Sequence, residues 1–227
     1  MEIKKTGKAL FPQPVSDLLR ALSNVGFFDE SMLIGSWVMP LYKEFYNISY
    51  VLHTMDIDFT IQVLSTRKPR ADLAEIIESQ GFTTFFTQSG IQKFSREGFT
   101  IEFIAHRTGN RDEEPILSRE WNITAVALPF INILSAFPFI CECSGIVIRA
   151  PIPEAFFLHK LIAATRRSKA SKKSKDLEQC SAIAPQLDVE RLGIVCGSVK
   201  LGRKTWAAVR SSCEAINFPP HILGMER

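Results

Sequence analysis

The 227-residue sequence is poor in cysteine and histidine: it holds five cysteines, Cys141, Cys143, Cys180, Cys196 and Cys213, and four histidines. The odd count excludes a fully paired disulfide framework. The absence of repeated paired spacing excludes a zinc ribbon or finger, so the cysteines read as buried thiols in a reducing compartment. A chain of this length buries enough apolar surface to hold a core without such staples. Internal repeats and low-complexity tracts are also missing, which excludes solenoids and tandem arrays. The N-terminus, Met1-Glu-Ile-Lys-Lys-Thr-Gly-Lys, has no apolar stretch behind its charges. No secretion signal is therefore visible, and a cytoplasmic protein is expected. One uncharged run, the 21 residues from Trp121 to Cys141, has membrane-spanning length. Pro129 and Pro138 would break a spanning helix twice, Asn132 and Ser135 would sit in lipid, and Ile123–Val126 reads as a buried strand. No membrane association is expected. What is present, 46% hydrophobic and 22% charged residues, is the composition of a folded soluble protein and excludes disorder.

The formal charge of +3 is unevenly spread. From His159 to Lys175 stand seven basic residues, Lys160, Arg166, Arg167, Lys169, Lys172, Lys173 and Lys175, without one acid. The rest of the chain is therefore net negative. A local cationic surface on an acidic protein suits a phosphate-bearing ligand. A solvated helix end whose lysines only confer solubility is the alternative.

Hydrophobic periodicity divides the chain near Ala150-Pro-Ile-Pro153. Before it, strand-like runs dominate: 32–35, 57–63, 82–87, 91–94, 99–105, 123–128 and 146–149. Helices are expected over 16–25 and 71–79, and hairpin turns at Gly90 and Glu97-Gly98. After it, 154–167, 175–184, 189–196 and 203–216 read as helices. The expected fold is thus mixed α/β over residues 1–150, a twisted mixed sheet with flanking helices, followed by a helical domain over 151–227.

Chemistry concentrates in Thr54-Met-Asp56-Ile-Asp58-Phe59. On a strand, residues two apart share a face, so Asp56 and Asp58 stand together while Ile57 and Phe59 turn away. Two adjacent anions demand a counter-cation, and a hard divalent ion with oxygen ligands meets that demand. Glu102 is a charge inside the apolar strand Phe99-Thr-Ile-Glu102-Phe-Ile-Ala105, and it too needs a partner. Three such acids would form a cup suited to phosphoryl chemistry. Alternatively, the aspartates line an exposed face and Glu102 pairs with Arg96 or Arg107. Upstream, Met32-Leu-Ile-Gly35-Ser36 is an apolar strand ending in Gly-Ser before a helix-spaced segment, Trp37 to Asn47. Glycine lets a phosphate approach the backbone, and Ser36 offers a hydroxyl and an N–H at a helix start. Ser36 as a plain N-cap is the simpler reading. Downstream, Lys160, Ala163 and Arg167 fall on one side of a helix, so Lys160 and Arg167 can reach one ligand.

Together these elements resemble the DNA polymerase beta-like nucleotidyltransferase superfamily, whose signature is an apolar strand ending Gly-Gly or Gly-Ser, a helix, an hDhDh strand and a later acid. The chain looks most like stand-alone bacterial nucleotidyltransferase-like proteins related to the toxins of type IV toxin–antitoxin systems. There, His-Lys-Leu, a basic stretch and Lys-Asp recur; here they are His159-Lys160-Leu161, Arg166-Arg167 and Lys175-Asp176. The resemblance covers roughly residues 30 to 180. It implies transfer of a nucleoside monophosphate from a nucleoside triphosphate to an acceptor hydroxyl, with pyrophosphate released and Mg²⁺ or Mn²⁺ as cofactor. It assigns Asp56, Asp58 and Glu102 to metal and catalysis, and Gly35, Ser36, Lys160, Arg167, Lys175 and Asp176 to the nucleotide. The acceptor, in RNA, protein or a small molecule, is left open. A catalytically silent member of the same fold, binding RNA or a protein partner, is the alternative it allows. Two departures stand out: nineteen residues separate Ser36 from Asp56, and the third acid is Glu where Asp is usual.

Overall fold

A computed structural model describes residues 2–63, 68–107 and 115–224. In chain order they form β1 (Lys4–Thr6), α1 (Val15–Asn24), β2 (Met32–Ile34), α2 (Met39–Tyr46), β3 (Asp56–Ile61), α3 (Leu73–Ser79), β4 (Thr83–Phe86), β5 (Gln92–Arg96) and β6 (Phe99–His106). There follow β7 (Pro115–Ser118), β8 (Ile123–Leu128), α4 (Ile131–Ala136), β9 (Pro138–Cys143), β10 (Ile146–Pro151), α5 (Pro153–Arg166), α6 (Ala170–Ile183), α7 (Val189–Gly197) and α8 (Arg203–Ala215). The chain divides into two compact units, Met1–Leu41 with Val51–Pro151, and Tyr42–Tyr50 with Ile152–Arg227.

The first unit is built on a seven-stranded mixed sheet, with β2, β3, β6, β5 and β4 in that order and β8 and β7 branching from β6. β3 and β6 run parallel, while β2–β3, β5–β6 and β4–β5 are antiparallel. The first residues of β6 pair with β5 and the last with β8, so the sheet forks around Glu102. Strand alternation sorts β3 and β6 into two faces. Ile57 and Phe59 meet Ile101 and Phe103 in register on the buried face. Phe59 and Phe103 stack with ring centroids 5.6 Å apart, and Phe27 meets them edge-on at 5.5 and 6.0 Å. Burying each such ring contributes about 1.5–3 kcal/mol, which fixes the register. A smaller sheet, β1–β9–β10, turns at Ser144-Gly145, both at positive φ as a two-residue hairpin requires.

The uncharged run from Trp121 to Cys141 becomes β8, α4 and β9. Pro129 lies in the turn between β8 and α4, and Pro138 opens β9. Among the described residues no helix is long and apolar enough to cross a membrane. All five cysteines are buried thiols, and burial pushes Cys196 and Cys213 up to about 12.

In the second unit α5 starts with Pro153 in its first turn, where the missing N–H costs nothing. The sequence suggests a helix with one apolar side and one basic side. The structure instead packs α5 against α6, α7 and α8. Ten of its fourteen residues are buried, charged Glu154 and Lys160 among them. A helix apolar on nearly every side belongs at the centre of a bundle.

Candidate carboxylate site on the open sheet face

The face opposite the phenylalanine stack carries the acids. Asp58 is the register partner of Ile34 on one side and of Glu102 on the other. Asp56, two residues earlier on the same face, faces Thr100. Adjacent strands lie about 4.8 Å apart, so backbone pairing alone makes Asp58 and Glu102 neighbours. Asp56 is exposed and Asp58 is half-buried.

Gly35 follows β2 at φ +66, inside the 3-10 turn Gly35–Val38. A Cβ built there would land on Asp58 Oδ2 and stand 3.1 Å from the Asp58 Cβ and Cγ. Glycine is therefore required twice, for its left-handed backbone and for the carboxylate lying against it. Ser36 is buried inside the same turn rather than capping it; Ile34 occupies the cap position. The segment 37–47 is helical only in two pieces, this turn and then α2.

Glu102 is paired, but with neither Arg96 nor Arg107. Its Oε1 accepts from Lys93 Nζ at 3.0 Å, with the two side chains 27% and 25% exposed. Arg96 is spent elsewhere, donating to the Gln80 carbonyl at 2.6 Å and to Glu97 at 3.1 Å. With Glu102 turned to Lys93, no three His, Cys, Asp or Glu side chains among the described residues converge as a ready-made metal-holding group. The donor set is nonetheless all carboxylate oxygen, the chemistry that a hard divalent ion selects. Asp56 and Asp58 share a face and Glu102 is in register with Asp58, so the residues fit such an ion by donor type.

The remaining sequence-predicted residues lie in the second unit, where Lys160, Arg167 and Asp176 form a cluster. Lys160 Nζ donates to Asp176 Oδ1 at 2.6 Å and stands 5.2 Å from the Phe156 ring centroid, and Lys160 is only 7% exposed. Arg167 Nε donates to Asp176 Oδ2 at 2.8 Å while its side chain stays 39% exposed. Burial pushes the Asp176 carboxyl up, but Lys160 and Arg167 together outweigh it and hold the group below its usual range. Burial first, then the Lys160 charge, pushes the neighbouring His159 imidazole down to about 3. Lys175, beside Asp176 on α6, is half-exposed.

Sequence reasoning did not single out Lys93, which pairs with Glu102, or the buried Glu154. Lys93 was within reach: a two-residue turn at Glu97-Gly98 sets Arg96 opposite Phe99 and so carries Lys93 to Glu102. Glu154, 1% exposed, accepts from the Asp188 backbone N–H at 3.1 Å. No local signal distinguishes it from an ordinary first-turn acid.

Among solved structures, the chain is similar to an antigenic nucleotidyltransferase-like protein from Paracoccidioides brasiliensis. The two are 13% identical with a TM-score of 0.52, over 92% of this chain and 93% of that one, a likeness of fold. No curated protein matches the sequence. A family model described as nucleotidyltransferase matches residues 13–193. With the match covering most of its length, the chain belongs to this nucleotidyltransferase family.

Proposed function

We propose that the protein transfers a nucleoside monophosphate from a nucleoside triphosphate to an acceptor hydroxyl, releasing pyrophosphate, with Asp56, Asp58 and Glu102 as its carboxylate site. The observation that carries this reading is the contact between two distant sequence motifs: the Asp58 carboxylate lies against Gly35 while its strand partner is Glu102. Asp56 and Asp58 would hold a divalent ion, Mg²⁺ or Mn²⁺, with Glu102 as the third acid. When bound, that ion supplies charge against the triphosphate and acidifies the acceptor hydroxyl. With no side chain at Gly35, phosphate oxygens would approach the Gly35-Ser36 backbone beside the Asp58 carboxylate. Glu102, next to Asp58, would take the acceptor proton. Most of the rate gain then comes from positioning and charge stabilisation.

In the second unit the cluster implies a division of roles. Lys160 is enclosed and neutralised by Asp176, so these two serve as a positioning pair. Asp176 holds Arg167 through Nε, leaving the guanidinium's outer nitrogens for an anion, and Lys175, the residue before Asp176 on α6, would add charge. Bidentate phosphate contact is what such a fork does best.

The test is incubation of the full chain with labelled triphosphates and Mg²⁺ or Mn²⁺, with cellular RNA and protein as acceptors. Transfer or self-labelling is expected, falling at least a hundredfold in Asp58→Ala. No label anywhere, or an Asp58→Ala protein equal to wild type, ends the catalytic reading. One observation favours a binding role instead: Lys169, Lys172 and Lys173 are exposed together. A catalytically silent RNA-binding protein would show RNA affinity that falls steeply with salt and weakens when these lysines are neutralised.

A further inference from the structure

We propose that Lys93 is the resident counter-cation of the carboxylate site, and that a divalent ion must displace it before Glu102 can join Asp56 and Asp58. The proposal rests on the carboxylate-site reading above and adds how that site responds to metal. Three acids on one sheet face, two of them in register on neighbouring strands, repel one another unless a positive charge sits among them. Lys93 supplies that charge, 3.0 Å from Glu102. Its placement is built in rather than incidental. Phe94 is fully buried on the opposite face and pairs with Ile101. Strand alternation then forces Lys93 onto the face of the acids, and the tight turn at Glu97-Gly98 carries it opposite Glu102. Phe85, its register partner on β4, closes the row on the outer side. Three-quarters of each side chain is sheltered, so the pair is screened less than an exposed one.

Lys93 and a divalent ion are therefore rivals for one carboxylate. Because they compete, removing the ammonium tightens metal binding. Removing the carboxylate abolishes that advantage, since only Glu102 links the two. This separates Lys93 from a lysine that merely adds positive charge nearby, whose removal would help the ion whether or not Glu102 is present.

The experiment titrates Mn²⁺ alone into the full chain, following unbound Mn²⁺ by electron paramagnetic resonance, for wild type, Lys93→Met, Lys93→Arg, Glu102→Gln, Asp58→Ala and the Lys93→Met/Glu102→Gln double variant. Lys93→Met is expected to bind Mn²⁺ roughly three- to tenfold more tightly than wild type, and Lys93→Arg to keep wild-type affinity. The double variant is expected to match Glu102→Gln. Circular dichroism and a melting curve confirm that each variant is folded. Equal Mn²⁺ affinity in wild type and Lys93→Met overturns the proposal alone, as does the same gain in the Glu102→Gln background. Absence of saturable binding in every variant, or binding that Asp58→Ala leaves unchanged, overturns the carboxylate site itself and this proposal with it.

Discussion

On the sheet of the first unit, Asp56, Asp58 and Glu102 are held together by backbone register, and their carboxylates remain partly in water. In the second unit Asp176 is almost sealed, and its partners hold it: Lys160 on one oxygen and Arg167 on the other. The first arrangement keeps acids close while their side chains still reach water. The second satisfies a charge so completely that it is committed to the fold. The difference teaches that, in this protein, charged groups equally conspicuous in sequence can differ sharply in burial: Asp176 is sealed into the fold while Asp56, Asp58 and Glu102 keep contact with water.

Lys160→Met tests the committed side hardest. It leaves Asp176 buried with only the half-exposed Arg167, and removing one partner of a buried pair costs about 3–5 kcal/mol. Urea unfolding followed by fluorescence should show that loss; a change below about 1 kcal/mol would place the pair with surface ion pairs. Gly35→Ala comes next. A left-handed backbone costs a non-glycine residue about 1–2 kcal/mol, and the new methyl must push the Asp58 carboxylate aside. Reduced stability with nucleotidyl transfer reduced at least tenfold is expected, and wild-type transfer would detach Asp58 from the chemistry.

A pH scan separates the two regions further. His159 is held neutral in the folded protein, with its imidazole well below the ordinary 6.5. The unfolded chain takes up a proton from about pH 6.5 downward while the native state does not, so stability falls with pH in that window. The slope is at most about 1.4 kcal/mol per pH unit. His159→Gln should flatten the curve between about pH 6.5 and 4, above the range where protonation of Asp176 takes over. An unchanged slope would show that the imidazole titrates as if exposed. The smallest effect belongs to Lys93→Met, whose stability should stay within about 1 kcal/mol of wild type because its pair, about a quarter exposed, still touches water. That value, set beside Lys160→Met, measures the contrast directly.

The mixed sheet and the run of C-terminal helices were legible because both rest on periodicity. Ile57, Phe59, Ile101 and Phe103 alternate with polar residues, and the hairpins announce themselves at Gly90 and Glu97-Gly98. The short elements β1, β7, α4 and β9 were not. Each is only three to six residues long, too short for a period to declare itself, and β1 becomes regular only by pairing with β9 far along the chain. At the site, Asp-x-Asp on one strand guarantees a shared face, so the neighbourhood of Asp56 and Asp58 follows from sequence. That Glu102 would be turned to Lys93 depends on which strands pair. That Lys160 would be buried depends on three helices packing around α5, which no window along one helix reveals.

The stacked pair Phe59 and Phe103 has a further consequence, for fidelity. Sliding β6 by a single position along β3 would swing Glu102 into the aromatic interior and expel Phe103 into water. Misalignment of the acids is thus punished by the hydrophobic side of the same ladder. The spacing of Asp58 and Glu102 is guarded by residues on the opposite face of the sheet.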